Sequence, residues 1–579
     1  MGVVCLTALG GDSPLTPAGP DKSANPAGLK LLTSTDGVNV PPKATGQMKF
    51  SFSWPEPSLE FAELLFAFEV ATFENTYSVD PSAVTVERTA DRVVFKAAGF
   101  AWAGGQQKAP GNLVATIDKR ADGAVEWTAS VKFDKPVKAI KSIVRGLPRG
   151  RLSPALEGWR DVADNERVFE YPTLMGGMAT PLVLLEAKNK RITAISALQT
   201  EVRPARFFFW PGPDGYKVEL IYEQAAWRKS GDVVTSGWRI GTADNLEKAI
   251  APHFAHVEKA YGLTKFTDRK DTPDWMKHLG LVLSLHGQHW TGYVMNDYAK
   301  QLDILKWAAT KTDPRYTMVF FAGWDRRYYW DYPTFDVDPR MGGEAGFKKL
   351  VTEAKAMGYR TLAMFGSNIA NPTWPGFGKI ADARARDIYG NPINAGFVDW
   401  DGDRHGDGSM TLMNLGVESW RNHLSSRIST IVNNYDIDAY FLDICGFWEN
   451  NPDADMFTGV QQLVTELKGR HPEVAAVAEM QYDAQMGLIP MSHAARYSLY
   501  RSGNYEYVAS FDHLSHPAPG RGSTGIHEYG FNRYQPVKSD QIQIPTIAFV
   551  DDTFDTYLQL VETDISTANE RFEKRGRLT

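Results

Sequence analysis

Asp438-Ala-Tyr-Phe-Leu-Asp-Ile-Cys-Gly-Phe-Trp448 is the stretch on which the reading of this chain turns. Ala439 to Leu442 form a short apolar run with the aromatic content of a buried strand, and Asp443 stands at its C-terminal end beside Gly446 and two aromatic residues. A carboxylate in that place rarely serves packing. In parallel α/β barrels the loops that follow the strands build the open face, so strand C-termini carry the chemistry. Val474-Ala-Ala-Val-Ala-Glu-Met480 repeats the device with Glu479. Two carboxylates on successive strands predict a pair facing one pocket, as glycoside hydrolysis requires: one attacks or stabilises the anomeric carbon, and the other protonates the leaving oxygen.

Working outward, strands of four to seven apolar residues alternate with amphipathic helices from about residue 275 onward, the signature of βα repetition. Leu279–Leu285 precedes a helix at about 296–310, Tyr316–Phe321 precedes Gly343–Met357, and Arg360–Phe365 precedes Glu418–Asn434. Later strands are expected at Tyr497–Tyr500, Tyr507–Phe511 and Pro545–Val550. About eight strands in this span match a (β/α)8 TIM barrel. An open doubly wound sheet is the alternative, but no Gly-rich phosphate loop follows the first strand.

Before the barrel, short alternating runs (Lys49–Trp54, Val84–Arg88, Arg92–Lys96, Val125–Val131, Tyr216–Tyr222) separated by turn residues predict an antiparallel β-sandwich. The expected division is an N-terminal arm over 1–46, the sandwich over 47–262, the barrel over 263–560 and a helical tail over 561–579. The 579 residues carry a formal net charge of −7 and no long basic run, which argues against nucleic acid or an anionic membrane surface as partner. No run approaches the roughly 18 apolar residues of a membrane-spanning helix. The 16 Trp, 23 Tyr and 30 Phe suit sugar stacking and an aromatic core equally. Cys5 and Cys445 fall in different predicted domains, so no structural disulfide is expected. Residues 1–10 are apolar without a charged n-region or clear cleavage site, so a complete signal peptide is not expected. The compartment stays open: periplasmic or secreted if a leader has been removed, otherwise cytoplasmic. Oligomeric state is equally open.

Four fragments carry a resemblance to known proteins: Gly323-Trp-Asp-Arg-Arg-Tyr-Tyr-Trp-Asp-Tyr-Pro333, Asp387-Ile-Tyr-Gly-Asn-Pro392, Met413-Asn414 with Trp420-Arg-Asn-His-Leu424, and Phe441-Leu-Asp-Ile-Cys-Gly446. Residues 270 to 555 thereby resemble retaining glycoside hydrolases with a (β/α)8 barrel: the endo-α-N-acetylgalactosaminidase-like enzymes above all, with α-amylase and α-galactosidase barrels more distant. The sandwich resembles the galactose-mutarotase-like domain that precedes many such barrels. The resemblance implies a nucleophilic Asp ending strand four and, from the endo-α-N-acetylgalactosaminidase-like and α-amylase groups, an acid/base Glu on strand five, roles that fall on Asp443 and Glu479.

The pattern therefore predicts double displacement on a carbohydrate, an α-linked glycan in particular, without a cofactor. Candidate substrate contacts are His286, Trp290, Trp324, Asp325, Arg326, Trp330, Asp331, Asn368, Asn414, Trp448, Tyr482, Arg501, His513 and Asp551. Asp325, Asp331, Asp483, Asp512 and Asp551 are reserve acids near expected strand ends. No metal site is assigned: the His286/His289 and His513/His516 pairs lack further ligands, and the acidic loop Asp399–Asp407, a candidate for structural Ca²⁺, lacks EF-hand spacing. A transglycosylase using the same site and a non-catalytic carbohydrate-binding barrel remain as alternatives, as does a metal-dependent hydrolase with His286 or His289 at the mouth.

Overall fold

The computed structural model describes residues 27–39, 54–162, 164–172, 177–289, 292–326, 332–396, 401–404, 409–480, 482–493, 507–511, 543–551 and 553–575. Two sheets, one of ten strands and one of nine, form the sandwich. Alternation drives it: in Val125–Lys132 the side chains of Val125, Trp127, Ala129 and Val131 are buried between the sheets, while Thr128 and Lys132 face water. Trp127 crosses the layer, donating its Nε1–H to Ser142 Oγ at 3.0 Å and meeting Phe66 edge to face. The expected strand at Lys49–Trp54 lies almost wholly outside the described residues. Instead Pro55–Phe61 pairs with Leu64–Thr72 on one side and with Lys30–Thr33 on the other, so part of the expected arm completes the sheet. Pro55 and Pro57 lack amide donors and read as turn residues, which hid this strand.

The helix Leu246–Tyr261 leads out of the sandwich. Asn245 caps it by accepting from the Lys248 N–H, and Gly262 ends it in the left-handed region at φ 63°. Beyond it run the barrel strands β1 (Leu281–His286), β2 (Thr317–Ala322), β3 (Arg360–Gly366), β4 (Ala439–Asp443), β5 (Ala475–Ala478), β6 (Met491–His493), β7 (Ala509–Phe511) and β8 (Gln543–Phe549, divided at Pro545). All neighbouring pairs are parallel, and β8 closes the ring: its first segment pairs with β7 and its second with β1. Asn296 fastens that seam, donating from Nδ2 to the carbonyls of His286 (2.9 Å) and Phe549 (3.1 Å). The doubly wound alternative is thereby set aside.

The expected sixth strand, Tyr497–Tyr500, lies outside the described residues; β6 is the three-residue Met491–His493, too short to show a period. The C-terminal helix Leu558–Arg575 packs Val561, Ile565 and Ala568 into the barrel core, so the segment expected as a tail covers β1 and β8.

Phe320, Phe441, His493 and Phe511 meet inside the barrel, with Phe320 and Phe441 ring centroids 5.0 Å apart and His493 and Phe511 5.2 Å apart. This aromatic layer is the floor under the mouth. The same strand β4 is anchored at its lower end by Asp438, which accepts from the Thr361 N–H and hydroxyl, both at 2.9 Å.

Sandwich and barrel dock through buried polar groups. Asp483, just after β5, is fully buried and accepts from the hydroxyls of Tyr171 (2.5 Å) and Thr180 (2.7 Å), both on the sandwich side. Thr180 Oγ1 lies 2.6 Å from His253 Nε2 on the connecting helix. Burial pushes the Asp483 carboxyl up to about 6 against these hydrogen bonds, and burial pulls the His253 imidazole down to about 3. Because the folded pKa of Asp483 exceeds its unfolded value of about 3.9, the folded state binds the extra proton between about pH 4 and 6, and this group's contribution to stability falls as pH rises through that window. Asp483→Asn removes the titration. Its melting temperature relative to wild type is therefore expected to rise between pH 4 and pH 7; a difference that does not change with pH rules out the raised pKa.

Candidate active site

Strand register sets the mouth. Leu442 pairs with Ala478, and the Glu479 N–H donates to the Leu442 carbonyl at 3.0 Å, so Asp443 and Glu479 leave adjacent strands at one level. Phe441 faces the lumen, and so does Asp443 two residues on. Val477, paired with Phe441, gives Glu479 the same direction. On the neighbouring strands the inward positions at this end are His286, Ala322 and Gly366.

One peptide links the two acids. The Ile444 N–H, immediately after Asp443, donates to Glu479 Oε2 at 2.9 Å. The Ile444 carbonyl accepts from Asn368 Nδ2 at 2.9 Å, and the Asp443 carbonyl accepts from the Ser367 N–H (2.9 Å) and hydroxyl (2.5 Å). Ile444 has φ 57°, a left-handed conformation that costs a β-branched residue about 1–2 kcal/mol. Such a conformation persists where its surroundings dictate it. Asn368 Oδ1 is a buried acceptor with no hydrogen-bond partner among the described residues.

Two glycines make the mouth. A Cβ on Gly366 would stand 1.5 Å from the Tyr332 hydroxyl, so the absence of a side chain there lets Tyr332 lie over the end of β3 beside Asp443. Gly323, at φ 66°, lets the loops after β1 and β2 meet: the Gln288 N–H donates to its carbonyl at 2.7 Å, and a Cβ would be 2.2 Å from the Gln288 carbonyl oxygen.

The expected substrate contacts divide sharply. His286 sits at the end of β1, where its Nε2 lies 3.4 Å from Ser284 Oγ. Asp325 is buried just past β2, Arg326 beside it is half-buried, and Asp551 past β8 accepts from the Tyr293 hydroxyl at 2.8 Å. Asn368 is at the end of β3. Four others are interior. Trp324 is stacked on Phe347 and donates to the Met364 carbonyl at 2.8 Å. Asn414 donates to the Ala454 carbonyl and accepts from the Gly416 N–H. Trp448 is buried against the Arg203 guanidinium, and Tyr482 packs edge-on against Tyr171 of the sandwich. Asp483, a reserve acid, is the interdomain anchor already described. Trp290, Trp330, Asp331, Arg501, Asp512, His513 and His516 lie outside the described residues.

Tyr332 belongs to the aromatic loop already expected to crowd Asp325, whereas sequence reading missed Ser367, which fixes the Asp443 carbonyl, and His493 in the layer beneath. It also missed a shifted acid on the loop after β4, Glu449. Burial pushes the Glu449 carboxyl up to about 7, opposed by the Asn450 N–H and reinforced by the charges of Glu223 and Asp387. No local pattern announces this, because its neighbours come from three separate stretches. Cys445 is buried behind the acids; burial, with the Glu479 charge adding, pushes its thiol up to about 12. Among the described residues no group of three or more His, Cys, Asp or Glu side chains could hold a metal ion. Asp401 and Asp403 of the acidic loop are exposed, and the rest of that loop's acids fall outside the described residues.

An antiparallel sandwich followed by a parallel barrel is an architecture of solved glycosidases. An alpha-N-acetylgalactosaminidase from Bifidobacterium bifidum, in complex with GalNAc, superposes with a TM-score of 0.61 at 13% identity, covering 80% of this chain and 85% of that one. A GH36 alpha-galactosidase variant from Geobacillus stearothermophilus, in complex with raffinose, gives 0.52 at 10% identity, covering 87% and 75%. No protein-family model matches the sequence, and no curated protein matches it.

Gly366→Ala is expected to lower the unfolding free energy by about 1–3 kcal/mol through the clash with Tyr332. In a Tyr332→Ala background the same substitution is expected to cost much less; equal costs in a double-mutant cycle would mean that the two residues do not touch.

Proposed function

We propose that this chain is a glycoside hydrolase that cleaves α-glycosidic bonds of an oligo- or polysaccharide with retention of configuration, Asp443 being the nucleophile and Glu479 the acid/base. The observation that carries the reading is the placement of both carboxylates, inward-facing and at one level, on adjacent strand ends, joined through the Ile444 N–H. The solved alpha-galactosidase and alpha-N-acetylgalactosaminidase of like fold support the glycoside hydrolase part of it and make aryl α-galactosides and α-N-acetylgalactosaminides the first substrates to assay.

In this reading Asp443 attacks C1 while Glu479 protonates the departing oxygen. The C–O bond to the leaving group breaks as the glycosyl-aspartyl ester forms. Glu479, now a carboxylate, takes a proton from water, whose oxygen attacks C1 and releases Asp443. The Ile444 N–H holds one oxygen of Glu479, so the acid is oriented by the backbone of the nucleophile's own strand. Asp325, His286 and Tyr332 surround the mouth as candidates for sugar hydroxyls.

Glu479→Ala is expected to lower turnover by roughly 10²–10⁴-fold. Asp443→Ala is expected to abolish it, with azide rescuing the variant as a glycosyl azide of inverted configuration on an activated α-glycoside. Wild-type turnover in both alanine variants would remove the pair from catalysis.

A further inference from the structure

We propose that Arg203, on the sandwich, is a positioning residue for the nucleophile: it clamps the loop between Asp443 and Asp455 and thereby holds Ile444 in its left-handed conformation. The inference deepens the glycosidase reading and rests on it for its kinetic consequence.

Arg203 is buried to 2% exposure although it carries a charge. Its guanidinium lies between two indoles, 4.3 Å from the ring centroid of Trp227 and 5.2 Å from that of Trp448. Nη1 donates to Asn450 Oδ1 at 3.4 Å, and Nη2 to Asp455 Oδ1 at 3.3 Å. Trp448 and Asn450 are the middle of the loop that begins at Asp443; Asp455 is its end and caps the helix Met456–Arg470. One cation thus grips the loop at three places. Asn450 adds its own ties to the sandwich, donating to Glu223 Oε1 (2.8 Å) and the Gln224 carbonyl (2.7 Å) and accepting from the Ala226 N–H (2.9 Å).

The near end of this loop is where the strain sits. Ile444 is held at φ 57° although it is β-branched, and relaxation would rotate the peptide whose N–H meets Glu479. Both carboxylates would then lose their relative placement. The clamp blocks that rotation from the far end, while Asn368 blocks it from β3.

The test uses the full chain with Arg203→Ala, and with Arg203→Lys, which keeps a cation but loses the planar fork that reaches Asn450 and Asp455 together, should the first variant not fold. Amide exchange over 444–455 is expected to quicken about tenfold or more, with 281–286 in β1 unchanged. Turnover of an aryl α-galactoside is expected to fall roughly 10–100-fold with KM within about twofold, and added guanidinium to restore it in Arg203→Ala. Unchanged exchange over 444–455, or a lowered melting temperature with unaltered turnover, overturns the proposal. Failure of the glycosidase reading shows separately, as turnover that is absent in wild type or survives Asp443→Ala, and the exchange measurement then decides the clamp by itself.

Discussion

The peptide between Asp443 and Ile444 is the constraint on which this barrel mouth depends. Its N–H goes to Glu479, its carbonyl takes two donors from Ser367, and the next carbonyl takes Asn368. Three strand ends, β3, β4 and β5, are therefore fixed to one another by backbone groups that would otherwise have ended the ladder unpaired. The conformational cost at Ile444 is set against the loss of a buried hydrogen bond on each side, about 1–3 kcal/mol apiece, so the two are of similar size and the local bonds alone leave the left-handed turn only modestly favoured. A carboxylate pair placed by such a turn depends on what holds the rest of its loop.

The level at which that pair sits follows from the layer beneath it. Phe320, Phe441 and Phe511 fill the lumen, leaving the next inward position on each strand to open upward. There the residues become small or polar: Ala322, Gly366, Asp443, Glu479. Gly366 shows how far this goes, since a single methyl would collide with Tyr332. Volume is removed at β3 so that an aromatic hydroxyl can approach β4.

Much of this was legible in the chain. Buried parallel strands read as short apolar runs, and β1 to β5 announced themselves, with Gly343–Met357 found to the residue. Asp443 and Glu479 stood out because a charge ending such a run has few other reasons to exist. The aromatic residues were harder. Trp324 and Trp448 lie beside strand ends, as sugar-stacking residues do, yet both are interior; local sequence does not say whether a ring near a strand end faces the mouth or the neighbouring domain. The interdomain contacts were out of reach altogether. Tyr171 with Asp483 and Arg203 with Asp455 join residues about 250 to 310 positions apart, and no short-range pattern marks either partner.

Those contacts change how the sandwich is understood. Asp483 follows β5 and Trp448 follows β4, so both loops that leave the candidate acids are held by the sandwich. Both anchors are buried polar groups. Apolar packing would hold the domains together more cheaply, since taking Arg203 and Asp483 out of water carries a desolvation cost that their partners only partly offset. What hydrogen bonds add over apolar contact is direction: a guanidinium flanked by two indoles and pointed at Asn450 and Asp455 fits one docking angle, where a greasy interface tolerates sliding. Under the proposed mechanism, in which two carboxylates must keep a working separation within a fraction of an ångström, that restriction acts at the far ends of both loops.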